Sequence, residues 1–166
     1  MHLFDTNPFI EAKNTYYPFA VAPGYWEWLR SEHEAGHIAS ISAVREELLR
    51  QDDELSEWAK DLPNSFWIEE STETLDALRQ VATWAMSTSR QYLPAARSEF
   101  LNVADFRLIA AALAGGHTVV TREQPSPASK NRILIPDVCD AHGVKWASPF
   151  ETYQRLGLRL VQPIGR

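Results

Sequence analysis

Leu3-Phe4-Asp5-Thr6-Asn7 is the stretch of sequence that decides the fold. A short apolar run stops there at a carboxylate, which predicts a first β-strand with Asp5 at its carboxyl end. The next residues are typical of a helix start, because Thr and Asn cap helices and Pro8 is tolerated in a first turn. A strand that leads directly into a helix predicts an α/β sheet, and open α/β sheets place ligand sites at the carboxyl ends of their strands.

The rest of the chain alternates short apolar runs with amphipathic segments, as expected for parallel βαβ units. Further strands are predicted at 37–42, 118–121, 133–135 and 144–146, and helices at 43–60, 72–90, 106–114, 136–143 and 149–156. In the helix predicted at 72–90, the apolar face consists of Leu75, Leu78, Ala82 and Ala85. We therefore expect one domain over residues 1–166, folded as a three-layer α/β/α sandwich with a mainly parallel central sheet.

The amino-acid composition of the chain limits the classes of function that are possible. The chain has 166 residues with 45% apolar content, enough to bury a core without disulfides, and it has a single cysteine, Cys139. Its 16 basic and 22 acidic residues give a net charge of −6, so a polyanion must be held by a local basic patch or a bound metal. No signal-peptide pattern and no apolar run of about 20 residues is visible, which predicts a cytoplasmic protein without a membrane segment.

Three further acidic residues lie on or next to predicted helices and strands at positions from which they can come close to Asp5. Glu47 lies at the edge of a helical stripe that contains Val44 and Leu48. Asp105 lies in the first turn of the apolar helix, where the helix dipole favours a negative charge, and a plain capping role is the alternative. Glu123 comes just after the strand at 118–121.

Carboxylates gathered at one sheet edge repel each other and raise each other's pKa unless a cation neutralises them. Mg²⁺ or Mn²⁺ suits such oxygen ligands, and a divalent ion there can activate water and clamp a phosphodiester. The loop at 124–132 carries Lys130 and Arg132, the best local basic patch, and these two side chains are candidates for holding phosphate.

Four segments resemble, in chain order, the acidic motifs of PIN-domain ribonucleases. They are Leu3 to Asn7, Val44 to Leu48 with Glu47, Ala104-Asp105 with Ile109 to Ala112, and Val120 to Glu123. Nearly the whole chain resembles a PIN-like group of bacterial proteins, through Glu11 to Tyr17, Trp26 to Leu29 and Ile135 to Cys139. The resemblance implies a three-layer α/β/α fold, Mg²⁺- or Mn²⁺-dependent cleavage of RNA and often a role as the toxin of a toxin–antitoxin pair, with an antitoxin protein as partner.

The resemblance also implies residue roles. Asp5, Glu47 and Asp105 match the metal-binding acids, and Glu123 matches a fourth position that is more often aspartate. Because glutamate is longer by one methylene, Glu123 can coordinate directly or through water. The polar residues that usually orient the acids are matched by Asn7 and Thr121.

Two features depart from the ordinary pattern of that family. The aromatic segment at 14–28 can pack in the core, and the alternatives are a gate over the site, a dimer surface or a partner surface. Asp137 is a fifth acid, close to the loop that follows Glu123, and a helix-start role is its alternative.

Three rival interpretations remain open. His33-Glu34-Ala35-Gly36-His37 matches the H-E-x-x-H pattern of zinc metalloproteases, which requires one helix through both histidines, although Gly36 predicts that the helix ends there. A non-catalytic binding module of the same fold would use the acids as caps and the aromatic segment as a partner surface. A nucleophilic Cys139 has Asp140 and His142 near only in sequence, so a buried and inert thiol is expected.

Overall fold

A five-stranded, entirely parallel sheet forms the centre of the computed structural model, which describes residues 1–161. The strand order is β3-β2-β1-β4-β5. The strands are β1 (His2–Phe4), β2 (Ile38–Ile41), β3 (Trp67–Ile68), β4 (Thr118–Val120) and β5 (Lys145–Ala147). Helices cover both faces, so the predicted three-layer α/β/α sandwich with a parallel sheet is confirmed.

The helices connect the strands in chain order. They are α1 (Thr6–Glu11), α2 (Pro23–Glu34), α3 (Ser42–Leu49), α4 (Glu54–Asp61), α5 (Thr72–Met86), α6 (Pro94–Asn102), α7 (Ala104–Gly115), α8 (Ile135–His142) and α9 (Pro149–Arg155). A π-helical turn, Ala12–Tyr16, follows α1, and a 3₁₀ turn, Asn64–Phe66, precedes β3. In the part of the chain from residue 1 to 161, no helix has the length and apolar character needed to cross a membrane.

Strand β1 lies at the point where the chain changes direction across the sheet. It pairs with β2 through His2 and Ile38 on one side, and with β4 through Phe4 and Val120 on the other. The chain first builds outward through β2 and β3, then crosses back to β4 and β5. A crevice at such a reversal is where open α/β sheets bind ligands, and Asp5 lies there.

One face of the sheet carries an aromatic core. The ring of Phe4 lies 5.5 Å from that of Phe9 and 6.3 Å from that of Tyr153, measured between ring centroids. Tyr25 and Trp26, from the aromatic segment, are buried in the same cluster. Core packing is therefore confirmed for this part of the segment.

The helix predicted at 43–60 is two helices. Asp52 adopts a positive φ of 47°, and Asp53 begins α4 with a reciprocal capping box, in which its Oδ1 accepts from the amide of Ser56 at 3.0 Å. The helical periodicity of the apolar residues does not reveal this break, because Val44, Leu48 and Leu55 are all fully buried. Two short helices can thus present the same apolar stripe as one long helix.

Asp53→Ala should lower the free energy of unfolding by about 1–2 kcal/mol. The change removes the cap of α4 and the ion pair between Asp53 and Lys13, and a helix cap contributes about 1 kcal/mol. Urea unfolding measures the difference. Asp52→Asn, which keeps a residue that tolerates positive φ, is the control and should change stability by less than about 0.5 kcal/mol; equal losses in both variants would contradict the capping argument.

Three other predictions about elements were wrong. Residues 133–135 form no strand: Ile133 and Ile135 are buried as expected, but Ile135 is already the first residue of α8. Helix α5 ends at Met86, and its buried face is rotated so that Leu75 is 45% exposed. The residues of α5 that are buried are Thr74, Ala77, Val81 and Ala85. Strand β3 and helix α6 were not predicted, since two strand residues give no alternation to read.

Candidate functional site

Three of the four predicted acids line one cleft at the switch point of the sheet. Asp5 follows β1, Glu47 projects from α3 and Asp105 lies in the first turn of α7. All three line a cleft of about 290 Å³ together with Asn7 and Arg50. The charge of the fourth acid, Glu123, raises the pKa of both aspartates, so the fold brings all four predicted positions into one electrostatic group.

Asp5 is 1% exposed and serves as the N-cap of α1. Its Oδ1 accepts a hydrogen bond from the amide of Thr6 at 2.7 Å, and its Oδ2 accepts from Thr121 Oγ1 at 3.2 Å. Burial raises the pKa of Asp5 well above its ordinary value, and the charges of Asp105 and Glu123 add to this. Thr121 therefore contacts an acid directly, in the position the sequence assigned to it.

Glu47 connects three elements. Its Oε2 accepts from Thr6 Oγ1, and its Oε1 accepts from the amide of Ala104, the first residue of α7, at 3.1 Å. The side chain thereby fixes the start of the helix that carries Asp105. Asn7, predicted to orient the acids, is exposed and lines the cleft, and Thr6 makes the contact instead. The position of Thr6 next to Asp5 was the only sequence signal for it.

The pKa of Asp105 is raised by its surroundings. Desolvation by burial, followed by the charges of Glu123 and Glu47, raises its pKa to about 7, while the Arg132 guanidinium acts in the opposite direction. A carboxylate in this state is stabilised by any cation that enters the cleft.

Glu123 is held toward α8. Its Oε2 accepts from the amide of Ile135 at 2.7 Å, and its Oε1 pairs with Arg132 at 3.0 Å. The amide of Ile135 lies in the first turn of α8, where backbone N–H groups have no acceptor within the helix. Glu123 supplies that acceptor.

The predicted set of four direct ligands is not assembled in this conformation. Across residues 1–161, no group of three or more His, Cys, Asp or Glu side chains is arranged to hold a metal ion. Glu47, Glu123 and Asp5 each accept a hydrogen bond from a helix-start amide. Asp5 and Asp105 are the two acids whose pKa values are raised, and such a pair fits a hard cation, because Mg²⁺ is usually bound through one or two carboxylates, substrate phosphate and water.

Basic side chains approach the acids from two directions. Arg132 lines a second cleft, of about 140 Å³, together with Glu47 and Asp105, whereas Lys130 is exposed. Arg50 lines the cleft of Asp5 and was not singled out from the sequence, although it lies one helical turn after Glu47.

Asp137 accepts from the amide of Ser126 with both carboxylate oxygens, at 3.1 Å each, and so holds the loop that follows Glu123.

The rival catalytic patterns lack the geometry they need. Helix α2 ends at Glu34, and Gly36 has a φ of 79°, so the continuous helix required by the zinc pattern is broken before His37. The ring nitrogens of His33 contact Ile38 O and Ser65 Oγ, each at 2.9 Å. Burial raises the pKa of the Cys139 thiol to about 12, which disfavours the nucleophilic thiolate.

The fold and the site together define a class of protein: a parallel α/β sandwich with one buried and several half-buried carboxylates, which repel each other, at the switch point of its sheet. Within that class, the chain belongs to the family described as a domain of unknown function (DUF4411), whose family model matches residues 2–160. Comparison with curated proteins gave no match, and comparison with solved structures gave none.

Proposed function

We propose that this protein is a Mg²⁺- or Mn²⁺-dependent endoribonuclease of the PIN type. The observation that carries the proposal is a pair of aspartates at the switch point, the buried Asp5 and the half-buried Asp105, whose pKa values are both raised by desolvation and by neighbouring carboxylates. A site that accumulates uncompensated negative charge is suited to a divalent cation. The resemblance of the four acidic segments to PIN-domain ribonucleases supports the same assignment.

Asp5 and Asp105 would hold the ion directly, with Glu47 and Glu123 acting on it through water or after a change of side-chain conformation. When bound, the ion supplies an activated water and neutralises charge on the phosphodiester. Thr6 orients Glu47, and Thr121 orients Asp5. These contacts keep the carboxylates in place before the substrate arrives.

Arg132 and Lys130 would receive the phosphates of the RNA. Arg132 has the better position, since it lines the cleft of Asp105 and is 63% exposed. Its guanidinium donates one N–H group to Glu123 Oε1 and can exchange this carboxylate for a phosphate, to which arginine donates two parallel N–H groups.

As the toxin of a toxin–antitoxin pair, the protein would act in the cytoplasm on cellular RNA and be neutralised by an antitoxin protein. A homodimer is compatible with the same proposal.

A non-catalytic binding module is the second candidate function. It is favoured by the capping contacts of Glu47 and Glu123, which occupy two of the predicted ligands with amides of α7 and α8. In that case the acids stabilise helix starts, and RNA cleavage is absent.

The test is calorimetric titration of Mn²⁺ into the wild-type protein and into Asp5→Asn, with RNA cleavage assayed on the same samples. Asparagine also caps helices, so the variant keeps the N-cap of α1 while losing the charge. We expect Mn²⁺ binding and Mn²⁺-dependent cleavage in the wild type and neither in the variant.

Asp76→Asn is the matched control, because Asp76 is exposed on α5, outside the cleft. It should bind Mn²⁺ and cleave RNA as the wild type does. A folded wild type that binds neither Mn²⁺ nor Mg²⁺ in the presence of RNA would reject the nuclease and leave the binding module.

A further inference from the structure

Two exposed aromatic rings and an arginine form a patch beside the acids. Tyr16 is 44% exposed and Phe150 is 38% exposed, and their ring centroids lie 5.0 Å apart at an interplanar angle of 88°. The guanidinium carbon of Arg122 lies 5.7 Å from the centroid of Tyr16 and 5.9 Å from that of Phe150. We call these three residues the aromatic patch.

The aromatic patch is fixed from behind by buried groups. Tyr16 contacts Tyr17, which stacks on the fully buried Tyr25 at a centroid distance of 4.4 Å. Phe150 contacts the buried Tyr153 at 5.7 Å. The Arg122 Nε lies 2.7 Å from Glu11 Oε2. Rings supported in this way keep their orientation in the free protein, so little side-chain entropy is lost when a ligand contacts them.

The aromatic patch shares the sheet edge with the carboxylates. Arg122 immediately precedes Glu123 after β4, and Phe150 lies in α9, just after β5. Tyr16 follows α1, the helix that Asp5 caps. These connections place the aromatic patch at the carboxyl ends of β4 and β5, at the same edge of the sheet as Asp5 and Glu123.

We infer that Tyr16, Phe150 and Arg122 form a stacking subsite for an unpaired base of single-stranded RNA. The inference rests on the proposed function and adds to it that the protein recognises a base of the RNA as well as its phosphates. Aromatic rings and arginine planes are the groups on which proteins stack splayed-out bases, whereas bases inside a duplex are not accessible to them.

The charge of the protein favours a subsite of this kind. With a net charge of −6, the chain as a whole does not attract a polyanion. Base stacking supplies affinity that does not depend on net charge and tolerates any sequence, because every base has a π face. The Arg122 guanidinium adds a cation beside both rings.

The test compares binding of a single-stranded RNA oligonucleotide with binding of an abasic oligonucleotide of the same length, by fluorescence anisotropy of the full chain in EDTA. The wild type should bind the RNA about tenfold more tightly than the abasic strand. Tyr16→Ala combined with Phe150→Leu should lose most of this preference. Tyr16→Phe combined with Phe150→Tyr keeps both rings and should keep the preference.

Exposed residues tolerate these changes, and the single variants Tyr16→Ala and Phe150→Leu provide the same test with a smaller change. The subsite is overturned if the wild type shows no preference for bases, or if the ring-removing variants retain it. Variants that bind RNA as the wild type does but sediment as a different oligomer assign the patch to self-association and overturn the subsite as well.

The outcome is separable from that of the proposed function. If the wild type cleaves RNA in an Asp5-dependent manner but shows no base preference, only the subsite fails. If Mn²⁺ binding and cleavage are absent while the base preference depends on Tyr16 and Phe150, the nuclease fails and the subsite stands.

Discussion

Asp105→Asn is expected to make the metal-free protein more stable at pH 8 while lowering RNA cleavage by about 100-fold or more. Burial and the charges of Glu123 and Glu47 raise the pKa of Asp105 to about 7, so ionised Asp105 lowers the stability of the folded state. One pKa unit corresponds to about 1.4 kcal/mol, and we expect a gain of about 2–4 kcal/mol. Cleavage falls because even outer contacts of a metal site are worth 10–100-fold, and Asp105 is proposed as a direct ligand.

The sign of the pH dependence follows from proton binding. In the unfolded chain the Asp105 carboxyl titrates near its ordinary value of 3.8, and in the folded protein near 7. Between these values the folded state binds more protons, so wild-type stability falls as the pH rises through this window and is lowest, from this cause, above pH 7. The advantage of the asparagine variant should be absent near pH 4 and complete at pH 8.

Urea unfolding in EDTA at pH 4, 6 and 8 measures this dependence. Asp76→Asn, an exposed change of the same kind, should show no such trend. Mn²⁺ should then stabilise the wild type and leave Asp105→Asn unchanged, because a ligand stabilises only a state that binds it. A variant that is less stable than the wild type at pH 8 would show that the Asp105 carboxylate is compensated within the protein.

Arg132→Ala is expected to lower kcat/KM for RNA by about 10- to 100-fold without weakening Mn²⁺ binding. A hydrogen bond to a charged group contributes about 1.5–3 kcal/mol, which is the loss expected for one phosphate contact. Mn²⁺ binding is retained because the loss of a positive charge beside Asp105 and Glu123 reduces the electrostatic repulsion of a bound cation. Glu123 also keeps its contact with the amide of Ile135.

Steady-state cleavage and Mn²⁺ calorimetry on the same samples separate the two effects. Arg132→Lys should restore part of the activity, since it keeps the charge and loses the planar fork. Lys130→Ala, a change at a neighbouring exposed cation, should have the smaller effect. Equal losses for Lys130→Ala and Arg132→Ala would mean that the loop acts as a diffuse basic patch and not through one guanidinium.

Local sequence was sufficient for the architecture. An apolar run that ends at Asp5, with a helix start directly after it, predicts a strand followed by a helix, and the repetition of this pattern predicts a parallel sheet. The helix end at Gly36 was predicted from glycine, and Gly36 adopts the positive φ that explains its use there. These features depend on neighbours within a few residues, so the sequence displays them.

Local sequence was misleading where two solutions share one pattern. The apolar stripe through Val44, Leu48 and Leu55 fits one long helix as well as two, and only the cap at Asp53 distinguishes them. The apolar residues at 133–135 fit a buried strand as well as a helix start. Ile135 is the first residue of α8, and Glu123, twelve residues earlier in the chain, accepts a hydrogen bond from its amide.

The α/β class was therefore predictable from the sequence, which placed Asp5 and Glu123 after strands, Asp105 at a helix start and Glu47 on a helix. Only the tertiary structure decided that Thr6 binds Glu47 across 41 residues, that Arg132 pairs with Glu123, and that Tyr16 and Phe150 meet beside Arg122. The physical reason is that desolvation and the interaction of charges depend on distance in space. The raised pKa of Asp105 arises from groups that are brought together only when the chain crosses back from β3 to β4.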